Sequence, residues 1–233
     1  GISQKRLDHR VDMARQLNEK FVRQHPNRNV LTYNELYDDA LTLMRSSDLK
    51  AFDLTQEKPD IRAAYGNNEF GQGCLLARRL VQNHVRFVEV HLGGWDTHTD
   101  NFDRVSERAA ILDQGMSTLL ADLHRRGMLE DTLVVLATEF GRSPEIVSEN
   151  DGRNHHPKAF SCVLAGGGIH GGAVYGGTDA TGHEIVSNKV TIPDFNATIA
   201  YALGLPTDQT LTSPSGRPFK IADKGRPIVE LFS

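Results

Sequence analysis

A chain of 233 residues is long enough for one sizeable domain, and 39% hydrophobic with 24% charged residues is ordinary for a globular protein. A formal net charge of −4 supplies neither an electrostatic footprint for nucleic acid nor a basic face for an anionic membrane. No run approaches the roughly 18 apolar residues a membrane-crossing helix needs, and no signal peptide stands at Gly1, where the chain opens abruptly with GISQKRLDHR.

The first part, to Asn83, reads as helical. From Ser3 to Gln24, Leu7, Val11, Ala14, Leu17 and Phe21 fall at helical spacing, and a turn is expected at His25-Pro26-Asn27. A second helix is expected from about Tyr33 to Arg45. The stretch Lys50 to Tyr65 looks irregular and broken by Pro59. Glu69 to Asn83 carries an apolar stripe of Phe70, Cys74, Leu75 and Leu80, then feeds a strand at Arg86 to Leu92 that ends in Gly93-Gly94. A long amphipathic helix follows from Phe102 to Arg126, stopped by Gly127.

Thr132 to Thr138 and Ala159 to Ala165 are continuous apolar runs, the pattern of strands covered on both faces. A short strand at Ala173 to Tyr175, an extended Val190 to Ile192 and a helix from Asp194 to Leu203 come next. Turns around Ser213-Pro214-Ser215-Gly216 and an edge strand from Pro227 to Phe232 close the chain. This alternation predicts a single α/β domain over 1–233, with 1–83 mainly helical and 84–233 holding a largely parallel sheet flanked by helices.

Ligands of open α/β sheets bind beyond the carboxyl ends of the strands. Three polar clusters flank the strands near one edge of the sheet: Gly93-Gly94-Trp95-Asp96-Thr97-His98 after Arg86 to Leu92, Thr138-Glu139-Phe140-Gly141-Arg142 after Thr132 to Ala137, and Gly152-Arg153-Asn154-His155-His156-Pro157 before Ala159 to Ala165. Together they offer Asp96, His98, Glu139, His155 and His156 to one pocket. Mixed carboxylate and imidazole donors suit zinc, with manganese or iron also reasonable and calcium a poorer fit. Each piece also has a plain reading: Asp96 and His98 as turn residues, Glu139 as a paired strand-end carboxylate, the two histidines as a surface loop. Arg142 and Arg153 either hold a phosphate or sulfate oxygen or form structural ion pairs. Gly166-Gly167-Gly168 reads as a turn, His170 and His183 as solvated loop residues, Trp95 as packing, and Cys74 and Cys162 as ordinary buried thiols.

The segments FGQGCLLARRLV, RFVEVHLGGWDTHTDNF, LLADLHRRGMLEDTLVVLATEFGRSP and GRNHHPKAFSCVLAGGGIHGGAVYGGTD resemble a bacterial family known as domain of unknown function 1501, from about Tyr65 to the C-terminus. That family looks like a sulfatase-like branch of the alkaline phosphatase superfamily. The resemblance implies an alkaline-phosphatase-like fold, incomplete at its N-terminus because full-length relatives carry the first strand and the expected nucleophile in a portion not seen before Gly1. It implies metal ligation by Asp96 and His98, with Glu139 where relatives carry an Asp-His dipeptide. His155, or secondarily His156, matches the late ligand. Many members have Asp where this chain has Asn154, which puts the strength or preference of the metal site in doubt.

The activity implied is metal-dependent hydrolysis of small anionic phosphate or sulfate esters, Arg142 or Arg153 assisting, in an exported, periplasmic setting. The alternative is a non-catalytic binding module, or an exported structural protein, that kept the fold without the nucleophile. No nucleic-acid or membrane partner is expected, and homo-oligomerisation stays open.

Overall fold

Val11, Ala14, Asn18 and Val22 recur every three or four residues and turn one face of α1 (Gln4–Gln24) inward, with Val11 buried. Leu17 and Phe21, expected on that face, are exposed; each precedes Asn18 or Val22 by one position and so points about 100° away. Helix α2 (Arg28–Arg45) starts where the Asn27 side chain accepts the Val30 N–H at 3.0 Å. Arg15 reaches across to Asp38 at 2.8 Å, and a 3-10 turn over Ser47–Phe52 follows. These elements make one compact unit, Gly1–Asp53; Leu54–Ser233 forms a second, so the chain divides well before the expected change of character at residue 83. The computed structural model describes residues 3–25 and 27–232, and the expected turn at Pro26 therefore lies outside the described residues.

In the second unit, Pro59 opens a helix instead of breaking one. Its missing N–H costs nothing in the first turn of α3 (Pro59–Ala64). Asn68 caps α4 (Glu69–Gln82) by accepting the Gly71 N–H at 2.8 Å, and α5 (Asn101–Arg125) ends at Gly127, whose φ of +67° suits glycine. Tyr65, Cys74 and Leu75 form the core, with Ile61, Phe70, Val90 and Leu119 packed against them. Gly71 makes this approach feasible: a Cβ there would lie 1.9 Å from the Tyr65 carbonyl oxygen.

A buried ionic network crosses the same core. Arg78, 1% exposed, lies 2.9 Å from Glu57 and 3.1 Å from Asp122, while the Tyr65 hydroxyl donates to Asp122 at 3.0 Å. Arg126 closes on the other oxygen of Asp122 at 2.9 Å, and Arg79 on Glu57 at 2.6 Å. Burial raises the Tyr65 phenol above its ordinary range, and the neighbouring Asp122 charge adds to that. Burial also pushes the Glu57 carboxyl up, but hydrogen bonds from Arg79 and Arg78 outweigh it and leave the group below its ordinary value of 4.5.

The strands differ from expectation. Strand β1 (Val134–Leu136) falls inside the run Thr132 to Thr138 and pairs antiparallel with β4 (Val163–Ala165). Between them, β2 (Gly141–Arg142) and β3 (His155–His156) form a second antiparallel pair. Two more antiparallel pairs follow: β5 (Gly177–Thr178) with β6 (Ile185–Ser187), and β7 (Thr210–Thr212) with β8 (Pro218–Lys220). No parallel ladder occurs among the described residues. Apolar runs report burial, not strand direction, which is why the sequence suggested parallel neighbours. Arg86 to Leu92 keeps the period of two, with Val88, Val90 and Leu92 partly buried, yet has no ladder partner among the described residues.

The expected short strand lies at Gly177–Thr178 instead of Ala173 to Tyr175, and the final segment forms a 3-10 turn, Val229–Leu231, beside an isolated bridge from Phe232 to Ile169. Helix α6 (Ile192–Ala202) begins with a capping box of Thr191 and Asp194. No helix among the described residues is long and apolar enough to cross a membrane.

Removing one partner of a buried ion pair strands the other, so Asp122→Ala is expected to lower unfolding free energy by about 3–5 kcal/mol, measured by urea denaturation. Glu57 gives the acid response a sign. Its folded pKa lies below the ordinary 4.5, so its contribution is intact above that pH and is lost as pH falls through the folded value. Glu57→Gln is expected to flatten stability against pH in that window.

Candidate metal centre

The order Asp96-Thr97-His98 supplies the first two donors by simple alternation. Thr97 is fully buried and its hydroxyl donates to the side-chain Oδ1 of Asn101 at 2.7 Å, so the flanking Asp96 and His98 side chains both face solvent. The third donor comes from the β2–β3 hairpin. In β3, His155 is exposed and His156 buried, the two faces of a strand, and the register sets Arg142 of β2 opposite His155.

Backbone bonds fasten this hairpin to the segment entering α5. Arg153 N–H donates to the Thr97 carbonyl at 3.1 Å, Asp100 N–H to Asn150 at 3.0 Å, and Asn101 N–H to Asp151 at 2.9 Å. Within the hairpin, Ser143 N–H donates to the Asn154 carbonyl at 2.8 Å and its hydroxyl accepts the Asn154 N–H at 3.2 Å. Gly152 is the point of closest approach: a Cβ there would stand 1.8 Å from the His98 carbonyl oxygen.

The result is a cluster of Asp96, His98 and His155 whose donor atoms lie within 4.8 Å of one another. The Nε2 atoms of His98 and His155 are 3.1 and 3.2 Å from Asp96 Oδ1 and 3.2 Å from each other. Phe140 packs against the His155 ring at a centroid distance of 4.3 Å. Arg142 Nη2 donates to the same Asp96 oxygen at 2.6 Å, while its Nη1 donates to the Arg153 carbonyl at 3.1 Å. The hydrogen bond from Arg142, aided by that from His155, depresses the Asp96 carboxyl to about 2, so it is ionised at neutral pH, the state a metal ligand requires.

Two imidazoles and a carboxylate form a donor set of the type that binds zinc, and their spacing allows all three to reach one ion. Other sequence candidates lie elsewhere. Glu139 is exposed on the bend between β1 and β2 and is not one of the three gathered donors; the apolar run before it leaves strand geometry at Leu136, so it does not end a buried strand. His156 turns to the opposite side, with its Nε2 3.1 Å from the His183 carbonyl oxygen. Arg153 is a brace: its Nη1 donates to the Ser143 carbonyl at 2.9 Å, and its guanidinium stands 5.6 Å from the Phe102 ring centroid.

Sequence reasoning missed the inward lock of Thr97 on Asn101, visible only as a small polar residue between two ligands. It also left His183 solvated. That ring bonds Glu145 through Nε2 and lies 3.0 Å from the Thr181 hydroxyl through Nδ1. The Glu145 hydrogen bond raises the His183 pKa, and the same contact lowers that of Glu145.

Gly152→Ala pushes a methyl group into backbone with no room to yield. It is expected to cost at least about 1–3 kcal/mol, read by thermal denaturation. Residues 1–232 match the family described as Protein of unknown function (DUF1501). No curated protein and no solved structure matches the chain. The chain thus belongs to the DUF1501 family.

Proposed function

We propose that this chain is a metal-dependent hydrolase of phosphate or sulfate esters, or the metal-binding part of one, with Asp96, His98 and His155 as ligands. The observation that carries the reading is the convergence of those three donors within 4.8 Å on an exposed surface. Structural zinc sites are closed by four protein ligands, whereas catalytic ones use three and leave a position for water or substrate. Asp96 is 71% exposed and the two histidines nearly half exposed, which is the open kind. A divalent ion held there supplies Lewis-acid polarisation of an ester oxygen. The chain contributes the rest. Asp96 brings negative charge, the imidazoles bring nitrogen donors, and the stitched hairpin gathers all three. Zinc suits this donor set best, and small anionic esters are proposed as substrates on the view that the DUF1501 family is a sulfatase-like branch of the alkaline phosphatase superfamily.

A second reading, a metal-binding module without turnover, has its own observation. The hydroxyl beside the ligands, that of Thr97, is buried and committed to Asn101 and so is no nucleophile as it stands.

Purified wild-type chain is expected to carry about one equivalent of zinc or manganese by mass spectrometry, and chelation is expected to lower its thermal midpoint. At an ion concentration 100 times Kd, the linked stabilisation is about 2.7 kcal/mol. Asp96→Ala and His155→Ala are expected to lose the ion, while Glu139→Ala and His156→Ala keep it. Metal retained by His155→Ala sinks the ligand assignment. Turnover of aryl phosphates or sulfates by the loaded chain supports the hydrolase; stoichiometric metal with no turnover favours the binding module.

A further inference from the structure

We propose that Arg142 is a positioning residue of the metal centre, a fixed clamp on the ligand oxygen of Asp96, and not a group that reaches for substrate. The inference rests on the metal reading above and goes beyond it by assigning how the exposed carboxylate is held.

Three nitrogens meet at Asp96 Oδ1: Arg142 Nη2 at 2.6 Å, His98 Nε2 at 3.1 Å and His155 Nε2 at 3.2 Å. Two of them belong to imidazoles, which carry a lone pair once deprotonated and can ligate an ion. The guanidinium has only donors and no lone pair to offer, so Arg142 can act on an ion only through Asp96. A carboxylate oxygen has two lone pairs. It can accept the Arg142 hydrogen bond and still present the other pair to a cation, the usual outer arrangement around metal-bound carboxylates.

The clamp is itself anchored. Arg142 sits in β2, paired in register with His155, and its side chain is 19% exposed against 71% for Asp96. Its second terminal nitrogen is spent on the Arg153 carbonyl at 3.1 Å. To grip a substrate oxyanion with both terminal nitrogens, Arg142 must release both partners, one of them the ligand the site depends on. Asp96, by contrast, follows Gly93-Gly94 outside any strand or helix and has no other arginine or lysine partner among the described contacts. Without the clamp, the ion must pay to order an exposed carboxylate at the moment of binding. The guanidinium also repels a nearby dication. The high dielectric around an exposed site reduces that repulsion, and the sign of the Arg142→Gln effect reads whether the ordering of Asp96 exceeds it.

The test is cobalt(II) titration of the full chain, followed by the intensity of its visible absorption, for wild type, Arg142→Gln, Arg142→Lys, Asp96→Ala and Arg142→Gln/Asp96→Ala. Outer-contact losses at metal sites are about 10–100-fold in affinity, and Arg142→Gln is expected to fall in that range with a changed absorption band. Arg142→Lys keeps the charge but not the two-ended grip and is expected to lose about tenfold or more on the same basis. Asp96→Ala loses the ion on purification but still takes up cobalt(II) weakly through the two imidazoles at high ion concentration; on that background Arg142→Gln is expected to cost nothing further, because the clamp acts only through that carboxylate. A merely structural arginine would weaken binding equally on both backgrounds, and that additivity overturns the proposal. Unchanged or tighter binding by Arg142→Gln overturns it too, identifying the guanidinium as a competitor of the ion. If wild type takes up no cobalt, the metal reading itself falls and this assignment with it; if wild type binds and only the Arg142 outcomes disagree, the metal reading stands alone.

Discussion

Three backbone hydrogen bonds between residues 97–101 and 150–153 are the constraint on which the site depends. Asp96 and His155 are 59 positions apart, and neither sits in a ladder with the other. What brings them together is main chain bonded to main chain: Arg153 to Thr97, Asp100 to Asn150 and Asn101 to Asp151. Such bonds depend little on side-chain identity, so the recognition of one loop by the other is carried by backbone shape and by the absence of a side chain at Gly152.

The two polar networks of the second unit obey opposite rules. Around Arg78, Glu57 and Asp122, charges are buried and each is answered by a partner, which makes that network a device for fixing how α4 packs on α5. Around Asp96, His98 and His155, charge is exposed and one carboxylate oxygen is shared among several donors. The first arrangement resists change. The second leaves its donor atoms open to solvent.

Much of this was legible in the sequence, and the failures have physical causes. Helices α4 and α5 were evident from apolar residues at helical spacing and from Gly127, because burial of one face leaves a periodic trace. The clusters holding Asp96, His98 and His155 stood out because carboxylate and imidazole flanked apolar segments. The choice between His155 and His156 was open, since strand alternation says that adjacent residues face opposite sides without saying which side holds the site. For Glu139 the apolar run before it implied a buried strand end, whereas the ladder stops at Leu136 and the carboxylate reaches solvent. Strand direction was unreadable for the same reason: Thr132 to Thr138 and Ala159 to Ala165 record that a strand is covered, and nothing in them records which way its neighbour runs. In α1, a stripe that drifts by one position was enough to place Leu17 and Phe21 on the wrong face.

The alternation around Thr97 has a consequence for how this segment can vary over generations. Its inward hydroxyl is locked to Asn101 four residues on, and the chain at either side is bonded to the facing loop. A gain or loss of one residue between Asp96 and Asn101 would exchange the roles of neighbours, burying a charged group and presenting the threonine methyl to solvent. Point changes at the outer positions are tolerable to the fold, whereas length changes are not. The fold thus requires this six-residue window to keep its length.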